Sequence, residues 1–296
     1  MNYYIMCLYC LFLSFTLSFA TNHNLAFTLP DTTKFDAGIW RFEVRGVILQ
    51  QNNQTMEEKL HAIVLGTIKH SDKSNVMTVY TPTRGRMTVI VNVGSGKTAR
   101  MRNAMLMPLS IIEMAVQIRE TRELQMFKNA STLVVYRDLY FNPVKNALGL
   151  FIAEFLDHLL RDTVPDRRLW SFIADSLRLL DATRNSVANF HITFLHSLAT
   201  FVGIAPDTRS YREGAVFDMV AGSYTTIHPG HNAILRGDEA RIPCLLDRIN
   251  YSNMHLWKLS RDNRQRLLEG IIRYYEIHTP GFKPLRSVEV LRQLFD

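Results

Sequence analysis

Cysteine is scarce in this chain, with Cys7, Cys10 and Cys244 the only three in 296 residues. Past the first twenty residues there is a single thiol, so no internal disulfide framework can form there. That usage points to a reducing compartment. Cys7 and Cys10 make a CxxC, but no second cysteine or histidine pair lies nearby to complete a zinc site. Long apolar runs are also missing, apart from residues 5–19, which fall short of the roughly 20 residues a membrane span needs. Internal repeats and low-complexity tracts are absent, which removes solenoids and disordered tails from consideration. No GxSxG elbow and no recognisable acid/base carboxylate pair occurs, so nothing announces hydrolytic chemistry.

The chain does have enough apolar sequence for a core. Apolar residues make up 47% and charged residues 21%, as in a globular protein. The length suits about two domains. The formal net charge is +7, unevenly spread. Residues 1–55 are neutral, residues 56–135 carry eleven basic and six acidic side chains, and residues 136–296 carry twenty and eighteen. A polyanion site is therefore sought in the middle third.

Residues 1–20 resemble a signal peptide, with Ser18-Phe19-Ala20 as a cleavage-type ending, but Met1-Asn2-Tyr3-Tyr4 lacks the usual basic residue. Three readings stand. The segment is a secretory signal, a membrane anchor, or sequence preceding the true start of the protein. Residues 21–55 show no helical period, and Met56 is followed by Glu57-Glu58-Lys59 and then a clean strand. This favours the third reading, with 1–55 an unstructured extension. The alternative is an exported or membrane-tethered globular protein of unknown role.

From 56 onward the apolar pattern changes once. Residues 62–68, 76–81 and 87–91 are β-branched or alternating, and 106–118 and 124–135 are strand-like, all joined by turns. Five short strands predict a small Greek-key barrel of the OB type over 56–138. Beyond Asn142-Pro143 the spacing becomes helical. Helices are predicted over 144–161, from 165 on, over 188–202 and, as the last, over 261–278, with a loop region at 205–240. The fold class is α+β, an OB-fold β-barrel followed by an all-α helical domain at 139–296.

Gly94-Ser95-Gly96-Lys97-Thr98 invites a nucleotide-binding reading. The P-loop spacing, however, requires glycine at position 91, where Val91 stands, and a long helix afterwards, which Pro108 interrupts. The same stretch is better read electrostatically. Arg84, Arg86, Lys97, Arg100 and Arg102 occur with no acidic residue between them. Such loops on a small barrel can track a phosphate backbone, with Tyr80 the nearest side chain for base stacking. An ordinary solvated loop is the equal alternative on composition alone.

The ordered set of segments decides between them. Ile63-Val64-Leu65 with Thr67-Ile68-Lys69-His70-Ser71-Asp72, then Thr78-Val79-Tyr80-Thr81, Gly85-Arg86, Leu106-Met107-Pro108-Leu109-Ser110 and Arg122-Glu123-Leu124-Gln125, resemble the first half of the RecO family. Phe151-Ile152-Ala153-Glu154-Phe155-Leu156, Ser176-Leu177-Arg178-Leu179-Leu180-Asp181, Ala188-Asn189-Phe190-His191, Ile227-His228-Pro229, Pro280-Gly281-Phe282 and Ser287-Val288-Glu289-Val290-Leu291 resemble its second half. The resemblance spans about 56–296. It implies a non-enzymatic, cytoplasmic, nucleoid-associated mediator of recombinational repair in the RecF pathway. Such a mediator binds single- and double-stranded DNA, anneals complementary strands without ATP or any cofactor, and helps load RecA. Its implied partners are RecR and the C-terminal tail of single-stranded DNA-binding protein, with no membrane for the core domains.

Two departures from the family matter. Many relatives hold zinc with four cysteines in the region of 205–240, where this chain has none, so no structural metal is expected. Relatives often carry arginine where Asn92 stands, which shifts the expected DNA contacts toward Lys97, Arg100 and Arg102, with Lys69, Arg84 and Arg86 beside them. Lys258, Arg261 and Arg264, at the start of the last predicted helix, are candidates for docking an acidic protein tail; the alternative is a solvated helix face. His191 and His196 are five apart and do not share a helix face. His228 and His231, near Asp218 and Asp238, read as turn and packing histidines rather than metal ligands.

Overall fold

The computed structural model describes residues 56–94 and 103–294. The signal-like segment, the rest of 1–55 and the stretch 95–102 lie outside the described residues.

Five strands close on themselves in the order β1-β2-β3-β5-β4. They are β1 (Met56–Lys69), β2 (Ser74–Thr81), β3 (Gly85–Asn92), β4 (Ile111–Ile118) and β5 (Leu124–Thr132). The long β1 does the closing. Its first half pairs with β4 and its second half with β2, and Ile63 faces both Ile111 and Tyr80. The remaining seam is parallel, from Thr88↔Leu124 to Ile90↔Met126 between β3 and β5. A closed order of this kind is the OB arrangement, with only three residue pairs along the β3–β5 seam. Leu60, Ala62, Val64, Met77, Val79, Val89, Val91, Met114, Val116 and Phe127 fill the interior. They come from alternate positions of each strand, as the pleat requires.

At Leu65 the register of β1 against β2 slips by one residue, so Val64 faces Val79 while Gly66 faces Thr78. The extra residue is a bulge. Ile63 and Leu65 point outward by the ordinary alternation and pack among the helices, and the slip reverses the phase beyond Leu65, so that Gly66 and Ile68 lie opposite outward-facing Thr78 and Val76.

The helical half begins with α1 (Pro143–Leu159), α2 (Arg167–Ala182) and α3 (Phe190–Phe201). Asn142 and Asp166 cap the first two, each side chain accepting from two backbone N–H groups, and Pro143 takes the first-turn position where no donor is needed. The core here is aromatic and aliphatic, with Phe151, Phe155, Phe190, Phe194 and Tyr275 fully buried.

Three expectations need correction. The strand foreseen over 106–118 starts only at Ile111, because Leu109 adopts φ 67° and turns the chain so that its N–H reaches Val64 O. The loop region 205–240 contains a three-stranded sheet, β7-β6-β8, from β6 (Val216–Asp218), β7 (Ser223–Thr225) and β8 (Ile234–Leu235). Strands of two or three residues are too short to show an alternation. A short helix α4 (Ile242–Leu246) follows. After α5 (Arg261–His278), taken from sequence as the last helix, comes α6 (Ser287–Leu294). Helix α6 follows the break at Pro280-Gly281 and spans about two turns, below the length at which periodicity is readable.

Candidate nucleic-acid interface

The outer surface of the barrel has two parts. Around Ile63, Leu65, Tyr80 and Ile111 it is covered by helices. Farther along the same strands it is open. There the register aligns Ile68 with Val76, Val76 with Ile90, and Ile90 with Met126, one residue from each of β1, β2, β3 and β5. Ile68 is 69% exposed and Met126 46% exposed. The next outward row is small or polar, with Gly66, Thr78 and Thr88, ending on Leu124.

Lysines border this face. Lys69 ends β1 and pairs with Asp72 at 2.8 Å, both side chains well exposed. Such a pair contributes little and competes poorly with a phosphate. Lys73 is exposed in the β1–β2 turn, and its carbonyl accepts from Val93 N at 2.8 Å. That bond fixes where the chain leaves β3 toward Lys97, Arg100 and Arg102, which themselves lie outside the described residues. Lys128 is exposed on β5 at a second register slip, two positions beyond Met126. Lys73 and Lys128 were not among the residues the sequence singled out. Lys128 lies two residues past Met126, the last residue of β5 paired with β3.

The two arginines of the run are placed differently. Arg84 Nε donates to Glu58 at 2.7 Å and its Nη1 to Glu120 at 3.0 Å. These carboxylates hold its guanidinium charge firmly in spite of partial burial. Arg86 sends Nε and Nη2 to one oxygen of Asp157 on α1, at 3.0 and 2.7 Å. The structure thus brings both arginines to internal carboxylates, away from Lys69. Tyr80, the expected stacking residue, is fully buried and its hydroxyl donates to Asp166 O at 3.4 Å. Burial pushes its phenol up to about 12. It is a packing residue between barrel and helices.

Two of the three candidate tail-docking residues, Arg261 and Arg264, line a cavity of about 170 Å³ with His191, Leu268, Leu291 and Arg292, among others. Arg264 is committed through Nε to Asn189 Oδ1 and through Nη2 to Leu259 O, both at 3.0 Å. Arg261 reaches Arg292 O at 3.1 Å, and Lys258 is exposed. His191 is buried at the cavity floor, and burial together with Arg264 pushes it down to about 3. On the other side of α5 an apolar groove of about 540 Å³ runs past Leu195, Phe217, Leu246, Leu267 and Ile271.

The junction is fastened by Asp181 at the end of α2. Its carboxylate accepts the N–H groups of Arg137, Asp138 and Leu139 at 2.8–3.1 Å. Buried Lys145 bonds Asp138 and the carbonyl of Asp181 at 2.7 Å. Burial would raise the Asp181 carboxyl, but the three N–H donors and Lys145 hold it below its ordinary range.

Among the described residues no group of three or more His, Cys, Asp or Glu side chains is placed to hold a metal ion. Cys244 sits 3.3 Å from the Tyr224 hydroxyl, His231 faces Asp218 at 3.3 Å, and His196 faces Asp247 at 2.7 Å. No helix among the described residues is long and apolar enough to cross a membrane.

Comparison with known proteins matches this architecture half by half. Residues 56–136 match the model for the recombination protein O N terminal domain, and residues 140–288 match that for the recombination protein O C terminal domain. The chain belongs to the RecO family. The DNA repair protein RecO of Phocaeicola vulgatus is 36% identical over 240 residues, covering 81% of this chain and all of that protein. The Bacteroides fragilis RecO is 36% identical over 242 residues with the same coverage. The Porphyromonas gingivalis RecO is 30% identical over 241 residues, covering 79% of this chain and 98% of that one. In this RecO-family chain the barrel and the helical half are thus the two regions that the family models describe.

Proposed function

We propose that this chain is a recombination mediator that binds single- and double-stranded DNA, anneals complementary strands without ATP and helps load RecA. The observation that carries the reading is the open end of the barrel. Lys69, Lys73 and Lys128 border one solvent-facing surface, and the chain leaves β3 beside Lys73 into a stretch with Lys97, Arg100 and Arg102. Lysines on a barrel loop end suit phosphates, whose counterions are released on binding. The work is positioning rather than covalent chemistry, so no cofactor is needed. Arg84 and Arg86, at the other end of β2 and β3, are engaged by Glu58, Glu120 and Asp157. RecR and the acidic tail of single-stranded DNA-binding protein are the proposed protein partners. Lys258 and Arg261 are the proposed tail contacts; Lys258 is exposed, and Arg261 lines a cavity that Arg264 also shapes.

The test is oligonucleotide binding and annealing without ATP across a salt series. Affinity should fall steeply with salt, and annealing should accelerate. Absence of binding at low salt would overturn the reading.

A further inference from the structure

Helix α5 turns one face to the apolar groove beside it, with Asn263, Arg266, Leu267, Gly270, Ile271 and Tyr274 at helical spacing. Gly270 is the anomaly on that face. Glycine weakens a helix interior, and its uses are a left-handed backbone or a close approach. The φ of Gly270 is not positive. A Cβ at this position would meet no atom within 4 Å among the described residues. Neither backbone conformation nor packing within the described chain therefore calls for a glycine there.

The groove over Gly270 is walled by half-buried or exposed apolar side chains from three further segments. They are Leu235 of β8, Ile242 and Leu245 of α4, and Leu259 just before α5. Leu245 is 41% exposed. At about 540 Å³ the groove has room for several side chains. Its rim is acidic. Asp238, Glu239 and Glu269 stand against Arg266, and His196 already faces Asp247. Arg292 answers Glu269 at 2.6 Å, whereas Asp238 and Glu239 form no salt bridge among the described residues. In a chain of net charge +7 this is a local reversal of sign.

We propose that the groove seats an amphipathic helix of a partner protein, apolar on one face and basic on its flanks, crossing α5 at Gly270. Apolar anchors three and four residues apart fill the space between Leu245, Leu259 and Leu267, as a helix lying in a groove requires. Gly270 lets the two backbones approach more closely than a side chain there would allow. Lysines or arginines of the incoming helix meet Asp238 and Glu239. An acidic segment is repelled at this rim, so the surface is separate from the tail contacts proposed at Lys258 and Arg261.

The test titrates the full chain with two fluorescent model peptides of about 18 residues, long enough to form a helix. Both carry leucine along one helical face; the remaining positions are lysine in one and glutamate in the other. The lysine peptide should bind about tenfold more tightly or better, because one peptide is attracted where the other is repelled. Gly270→Leu fills the groove from a helical position with open space around it. Its thermal midpoint should not fall, while its affinity for the lysine peptide should drop about tenfold or more. Gly270→Ala, a smaller change, should raise the midpoint and weaken the peptide, which keeps the test intact if the leucine variant does not fold. Asp238→Asn with Glu239→Gln should narrow the gap between the two peptides. Equal affinity for both peptides would mean an apolar ligand without charge preference and would overturn the proposal, as would no binding of the lysine peptide. Unchanged affinity in folded Gly270→Leu and Gly270→Ala proteins would put the peptide elsewhere on the molecule and overturn it too.

Discussion

Arg86 and Asp157 meet at 2.7 Å across the junction of barrel and helices, one on β3 and the other on α1. Both are largely shielded, with side-chain exposures of 19% and 30%. The pair ties two elements that are 71 residues apart in sequence. Arg86→Ala should lower stability by about 1.5–3 kcal/mol, the range for hydrogen bonds to charged groups. It should leave the salt slope of DNA binding unchanged. Urea denaturation and a salt titration on the same variant check both parts. A flattened slope would return Arg86 to the DNA surface.

Tyr80 offers a sharper contrast. Tyr80→Ala empties a fully buried site and should cost about 3 kcal/mol or more. Tyr80→Phe keeps the ring and loses only a long bond to Asp166, so oligonucleotide affinity should not change. Loss of affinity in Tyr80→Phe would contradict a packing role.

Asp181 predicts a pH dependence. Its carboxyl is held below the ordinary value of 3.8 in the folded state. A depressed carboxylate contributes stability that is present above the unfolded value and is lost as pH falls through the folded one. Urea midpoints should therefore drop as pH is lowered below about 4. Asp181→Asn should reduce stability at neutral pH and weaken that acid dependence. An unchanged acid limb in Asp181→Asn would assign it to other carboxylates, Glu154 first.

Lys97, Arg100 and Arg102 are testable through charge. Each phosphate contact on a single strand contributes about 0.7 to the slope of log affinity against log salt. The triple change to alanine should reduce the slope by about 2 if all three make contact. Lys69→Ala with Lys73→Ala and Lys128→Ala should do the same from the described face. An unaltered slope in either set would remove it from the interface.

The strands of the barrel were legible because each has one face in the interior and alternates accordingly, as Met77, Val79, Val89 and Val91 do. Helices α1 to α3 and α5 were legible for the same reason at a different period. What stayed hidden depended on distant partners. The run from Arg84 to Arg102 reads as uniform positive charge, yet its first two members find carboxylates 26 to 71 residues away. Tyr80 sits where an exposed strand residue would, and only the helices packed over it make it a core residue. The aliphatic row on the open face could not be read at all without the register that aligns four strands.

Glu154, in the middle of α1, accepts the backbone N–H groups of Arg286 at 3.0 Å and Ser287 at 2.8 Å, and the Ser287 hydroxyl as well. Its partners are the residues that open α6, more than 130 positions downstream. Translation delivers the barrel strands and α1 long before those partners emerge from the ribosome. The nascent barrel can close from 56–132 while Glu154 still faces water. The helical half is finished only when the last stretch of polypeptide folds back onto its first helix.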